Sequence, residues 1–176
     1  MATPISTSDW REGIYKAFKA ADIRQISYVP DAGHTDLIKR AHADPDVSTT
    51  SLTTEEEGVA MSCGAWLGGQ RHVILMQSSG VGNCINMLSL MQSCRFPMFA
   101  LITMRGEWAE FNPWQVPMGR ATQASLELMG VSVRRVTDPA KAVVEIEAGL
   151  DDAFLSEQPV AILLSQSLLG RKVWNK

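Results

Sequence analysis

Six short apolar runs, at residues 23–29, 47–52, 72–76, 98–103, 131–136 and 160–164, recur along the chain with helical patterns between them. Apolar strands of this length are buried on both faces, and a helix-sized connection lets successive strands lie parallel. The alternation predicts an α/β domain of three layers, a mostly parallel six-stranded sheet between two sets of helices. Helices are expected at 9–20, 34–43, 83–93, 121–129 and 139–154, and from the caps Thr53 and Thr54 to Leu67. Asp9 and Glu12 have the spacing of a capping box, and Pro139 suits a first helical turn. A chain of 176 residues fits one domain over 1–176, with a flexible segment at about 1–7.

Composition narrows the function classes. With 45% hydrophobic and 20% charged residues the chain reads as folded. A formal net charge of -3 supplies no electrostatic reason to bind nucleic acid or an anionic membrane. The opening MATPISTSDWREG has no apolar segment of signal-peptide length, and no run reaches the ~18 apolar residues of a membrane span. A cytoplasmic protein is expected. Cys63, Cys84 and Cys94 cannot all pair, and neither they nor His34, His42 and His72 have metal-ligand spacing. No metal site is expected, and the thiols read as small hydrophobes.

In a parallel sheet, ligands sit beyond the C-terminal strand ends. The turns at Pro30, Gln77 and Arg105 all follow strands there, and Glu55 opens the helix after the second strand. The stretch 104–119, with two Trp and two Pro, reads as an ordered loop or lid on the same rim. The glycine-rich stretch 77–83 reads as a turn. It lacks the lysine of a GxxxxGK[ST] phosphate loop and misses GxGxxG, so ATP or NAD binding of the usual kind is disfavoured. It allows tight packing, or offers backbone amides to a polar ring or an anion. Glu55, Glu56 and Glu57 suit the positive end of a helix without any chemistry, while an acid on the rim can also hold a basic heteroatom of a ligand.

The stretches VPD (29–31), TTEEEGVAMSCGAWLGG (53–69), LMQSSGVGNCINMLSL (75–90) and MRG (104–106) resemble the pyrimidine-binding half of thiamine diphosphate-dependent decarboxylases. The pattern is most similar to that of sulfopyruvate decarboxylase alpha subunits, with phosphonopyruvate decarboxylases near relatives, over about residues 10–165. The resemblance implies a thiamine diphosphate-binding fold. It also implies a catalytic acid nine residues before the glycine of the small-residue helix. Counting back from Gly64 gives Glu55. That acid would hold N1′ of the aminopyrimidine, which helps the cofactor lose its C2 proton and attack a 2-oxo acid.

By the same resemblance Gln77, Ser78, Gly80, Gly82 and Asn83 belong to the cofactor side, and Pro30, Asp31, Arg105 and Gln115 to the substrate side. Asn83 as a helix cap, and Arg105 in an ion pair, are the structural alternatives. The family's diphosphate half uses a Gly-Asp-Gly segment and Mg2+, and no Gly-Asp-Gly occurs in this sequence. A beta subunit carrying diphosphate and magnesium is therefore expected, in an α2β2 or larger assembly that releases carbon dioxide and an aldehyde from a sulfopyruvate-like 2-oxo acid. A carboligase outcome and a non-catalytic structural subunit are the rivals. One departure stands out: relatives carry Pro-Glu-His or Pro-Gln-His where this chain has Pro113-Trp114-Gln115, and glutamine cannot titrate as histidine does. With Trp108, Phe111 and Trp114 nearby, a bulkier or less anionic substrate is expected.

Overall fold

A computed structural model describes residues 9–171. The segment expected to be flexible, at about 1–7, lies outside them. Among the described residues six strands form one sheet: β1 (Ile23–Tyr28), β2 (Ser48–Ser51), β3 (Arg71–Gln77), β4 (Met98–Thr103), β5 (Ser132–Val136) and β6 (Pro159–Leu164). They lie in the order β2-β1-β3-β4-β6-β5, and every neighbouring pair is parallel. All six C-terminal ends therefore open on one edge. The helices are α1 (Asp9–Ala20), α2 (Thr35–Ala43), α3 (Glu55–Leu67), α4 (Ser78–Cys84), α5 (Ser89–Cys94), α6 (Val116–Leu128), α7 (Ala142–Phe154) and α8 (Gln166–Leu169).

The three layers follow from the two-residue period of the central strands. Val73, Leu75, Phe99, Leu101, Val160 and Ile162 face Ile14 and Phe18 of α1 and Ile146 and Leu150 of α7. Their neighbours Ile74, Met76, Ala100, Ile102, Ala161 and Leu163 face Val59 of α3, Val81 of α4, Met91 of α5 and Leu126 of α6. Strands β4 and β6 are buried at every position, as expected of central parallel strands. β2 is a polar edge strand, and its apolar flanks Val47 and Leu52 are buried just outside it.

Three boundaries differ from the sequence reading. The stretch 77–83, read as a turn, is mostly helix α4 (78–84), which is followed by a break and the separate α5 instead of one helix to residue 93. Helix α6 starts at Val116, five residues earlier than expected, because Pro117 lies in its first turn, where a missing N–H costs nothing. The irregular stretch shrinks accordingly to 104–112, followed by a 3-10 turn at Pro113–Gln115. Thr54 is the N-cap of α3, but its hydroxyl makes no capping bond; Glu57 instead accepts from the Thr53 N–H at 2.9 Å. No helix of the described residues is long and apolar enough to cross a membrane.

Candidate active site

The acid expected to be catalytic separates from its two neighbours in space. Glu57 is exposed and acts as a reach-back cap, whereas Glu55 is buried to 8% exposure and turned toward α4. Its Oε2 accepts from Asn83 Nδ2 at 3.0 Å, while Oε1 accepts no bond among the described residues. Gly80 makes room for it: a Cβ there would stand 2.2 Å from Oε1. Glycine inside a helix costs about 1 kcal/mol relative to alanine, so this close approach is what the glycine is for. Because 78–84 is helical, Asn83 lies in the last turn of α4 and is not the cap of a following helix.

A second polar cluster forms where β1, β3 and β4 end. Asp31 Oδ1 accepts from Gln77 Nε2 at 3.0 Å, and its Oδ2 accepts from Thr103 Oγ1 at 2.6 Å and from the Gly33 N–H at 3.1 Å. Ser79 Oγ donates to Gln77 Oε1 at 3.0 Å. Ser79 and Asn83 also line an apolar groove of about 650 Å³ with Pro113, Trp114, Pro117 and Met118. The line Ser79–Gln77–Asp31 thus links the groove beside Glu55 to a cleft of about 420 Å³ bordered by Pro30, Asp31, Thr35, Ile38 and Lys39. Both side-chain ends of Gln77 are engaged inside the chain. Ser78 is fully buried, and its Oγ accepts from the Arg105 N–H at 3.0 Å, so it supports the rim from below.

Arg105 takes the structural alternative named for it. Its guanidinium grips Glu110 with two bonds, Nε at 2.7 Å and Nη2 at 2.6 Å, and both side chains are almost wholly buried. Glu110 also accepts from the backbone N–H of Gly106 and Asn112 and from Gln166 Nε2. The arginine bond, with further help from these donors, holds the Glu110 carboxyl down at about 2. Gln166 completes the knot by accepting from the N–H of Glu107 and Trp108. The loop 104–112 is therefore a clamped wall. Trp108, Phe111 and Trp114 stand exposed on it and its continuation, and Gln115 is half-buried with Oε1 buried and unpartnered. Sequence reasoning missed Glu110, Gln166, Thr103 and Ser79; only the polar Thr103 ending the apolar run MFALIT carried any local signal.

The rim fits half of a thiamine cofactor. A carboxylate oxygen open beside a glycine suits a ring nitrogen that shares a proton, and the neighbouring groove suits a flat apolar body. Among the described residues no three His, Cys, Asp or Glu side chains gather as a metal site.

Known proteins agree. No family model matches the chain. It is 34% identical over 160 residues to the sulfopyruvate decarboxylase alpha subunit of Methanothermobacter thermautotrophicus, covering 90% of this chain and 97% of that one. The alpha subunit of Methanococcus maripaludis is also 34% identical, over 154 residues, covering 87% and 92%. A phosphonopyruvate decarboxylase of Streptomyces viridochromogenes is 31% identical over 157 residues, covering 88% of this chain but 40% of that protein. Among solved structures, a 2-oxoglutarate:ferredoxin oxidoreductase from Magnetococcus marinus shares the fold, with TM-score 0.74 and 16% identity over 94% of this chain and 33% of that one. Fold, rim and relatives together define a subunit of the thiamine diphosphate-dependent 2-oxo acid decarboxylases, on their pyrimidine-binding side. Within that class, the chain belongs to the sulfopyruvate decarboxylase alpha-subunit family.

Proposed function

We propose that this chain supplies the pyrimidine side of a cytoplasmic decarboxylase whose diphosphate and Mg2+ are held by a second, beta-type subunit. The relatives named as alpha subunits are matched over nearly their whole length, and the longer phosphonopyruvate enzyme over 40%, which supports a two-chain site. The substrate is a small 2-oxo acid of the sulfopyruvate kind, and the products are carbon dioxide and an aldehyde. Thiamine diphosphate, when bound, supplies the nucleophilic carbon and the electron sink.

The observation that carries the reading is Glu55, buried on the rim with one oxygen held by Asn83 and the other open beside Gly80. Glu55 holds the proton shared with the pyrimidine nitrogen, and Asn83 fixes the direction of its carboxylate. Gly80 leaves the Glu55 carboxylate its place beside the ring, and Gly82 lies against Met118, which lines the groove. Pro30 and Asp31 face the 2-oxo acid from the far end of the same rim, and the wall from Arg105 to Gln115 excludes water from the reacting carbons. With its charge absorbed by Glu110, Arg105 shapes that wall, and Gln115 is the neutral group that meets the substrate.

The test uses the assembled enzyme. Glu55→Gln preserves size and removes the carboxylate, so turnover should fall by at least about 10²-fold, with hydrogen exchange at C2 of the bound cofactor slowed in step. Glu57→Gln should change stability by about 1 kcal/mol or less and leave exchange normal. Normal exchange in the Glu55 variant would refute the assignment. The purified chain with cofactor, Mg2+ and a panel of 2-oxo acids should release no carbon dioxide until the second subunit is added.

A further inference from the structure

Thr103 ends β4, a strand whose other five residues are apolar and buried, and is itself 1% exposed. A hydroxyl in that place costs free energy unless it is paired. It has one proton to give and two acceptors in reach, Asp31 Oδ2 at 2.6 Å and the Met76 carbonyl at 3.4 Å. The shorter distance and the ionised acceptor favour Asp31. Gln77 stands directly opposite Thr103 in the β3–β4 register, so two paired positions on adjacent strands each donate to a different oxygen of one carboxylate. Ser79, donating to Gln77 Oε1, fixes which end of that amide faces Asp31.

The packing is as tight as the bonding. A Cβ on Gly33 would stand 2.6 Å from Thr103 Cγ2 and 2.8 Å from Asp31 Oδ2, so the three residues touch with no space for a side chain between them. With donors on both oxygens, from β3, from β4 and from the turn at Gly33, the carboxylate cannot rotate freely. We infer that Thr103 and Gln77 are positioning residues that fix the Asp31 carboxylate on the substrate side of the rim before any substrate arrives. The inference rests on the substrate-facing role proposed for Asp31 and adds what holds that residue in place. A group held by strand ends is oriented more sharply than one carried by a free loop, and orientation of this kind acts on kcat more than on KM.

Two measurements test it, one of which needs no activity. In the full-length chain alone, hydrogen exchange of the Gln77 side-chain amide, followed by NMR, should quicken by about tenfold or more in Thr103→Val, because the carboxylate it donates to is released; Thr103→Ser should restore slow exchange. In the assembled enzyme Thr103→Val should lower kcat by about tenfold or more with KM changed by about twofold or less, and Thr103→Ser should recover most of the loss. Combined with Asp31→Asn, Thr103→Val should cost little further, since both remove the same arrangement. Unchanged exchange, or faster exchange with unchanged kcat, overturns the inference. A wild-type heteromer that decarboxylates no 2-oxo acid, while exchange still responds to Thr103→Val, instead overturns the proposed reaction and with it the catalytic purpose of the positioning.

Discussion

Gly80 and Gly82 sit two residues apart in one helix and serve different ends. Gly80 faces the Glu55 carboxylate, whereas a Cβ on Gly82 would meet only the flexible thioether of Met118, at 3.1 Å. Replacing a helical glycine by alanine raises helix stability by about 1 kcal/mol where space allows. Gly82→Ala should therefore stabilise the chain or leave it neutral, and cofactor-dependent turnover should fall little. Gly80→Ala forces Glu55 out of place, so turnover should fall by about tenfold or more even though the helix itself gains. Urea denaturation and turnover measured on both variants separate the two roles, and equal activity loss in both would show that α4 has no privileged position at Glu55. The cysteines illustrate the opposite case, residues whose burial removes chemistry. Cys84 is pushed up to about 12, chiefly by burial, and Cys63 is raised for the same reason, which leaves both as packing groups.

At the scale of elements, the loop 104–112 is tied down by one residue outside any local pattern. Gln166, 2% exposed at the start of α8, uses both ends of its amide and its own N–H to bind Glu107, Trp108 and Glu110. Gln166→Ala leaves the part-buried N–H groups of Glu107 and Trp108 without their acceptor, so it should cost about 1–3 kcal/mol by denaturant titration and speed amide exchange at Glu107 and Trp108. Gln166→Glu should be worse at neutral pH, because it sets a carboxylate against Glu110 where an amide now donates at 2.9 Å. If alanine proves silent, the loop is ordered by its own turns. This element also marks the limit of what the sequence discloses. Strands β4 and β6 are legible because each is an almost unbroken apolar run, and the resemblance singles out Glu55 among three adjacent acids, the one the structure buries on the rim. Helix α4 is not, because SSGVGN has the composition of a turn and becomes a helix only against α3 and α6. The partner of Arg105 is hidden for another reason: Glu107 is nearer to it in sequence than Glu110, and only the folded loop turns Glu110 inward while Glu107 meets Arg135.

Across the whole molecule, the two cores on either side of the sheet enclose two histidines that burial keeps neutral. His72, 2% exposed, is pushed down to about 3, and His34, 1% exposed, is lowered for the same reason. The arrangement around His72 supports the neutral form. If Nδ1–H donates to Ser62 Oγ at 2.7 Å, the hydroxyl is free to donate to the Gly58 carbonyl at 3.1 Å, and Nε2 is left as a bare acceptor, cheaper to bury than an unpaired N–H. His34 Nε2 lies 3.1 Å from the Met76 carbonyl, to which it donates as the N–H tautomer. Because both folded values lie below the unfolded one near 6.5, the unfolded chain binds more protons as pH falls through that value. Stability is thus whole above about pH 6.5 and declines below it, at a slope approaching about 1.4 kcal/mol per pH unit for His72, with His34 adding to the loss in the same direction. Glu110, with its folded value at about 2 against an ordinary 4.5, adds a further loss only below about pH 4.5. Urea titrations between pH 8 and 5 should therefore show a plateau and then a fall. His72→Asn, which keeps a donor toward Ser62 and cannot be protonated in this range, should lower stability at pH 8 through lost packing and reduce the slope below pH 6.5. A slope unchanged by His72→Asn would mean that His72 does not control the acid response, and a curve flat down to pH 5 would mean that neither histidine is held neutral by the core.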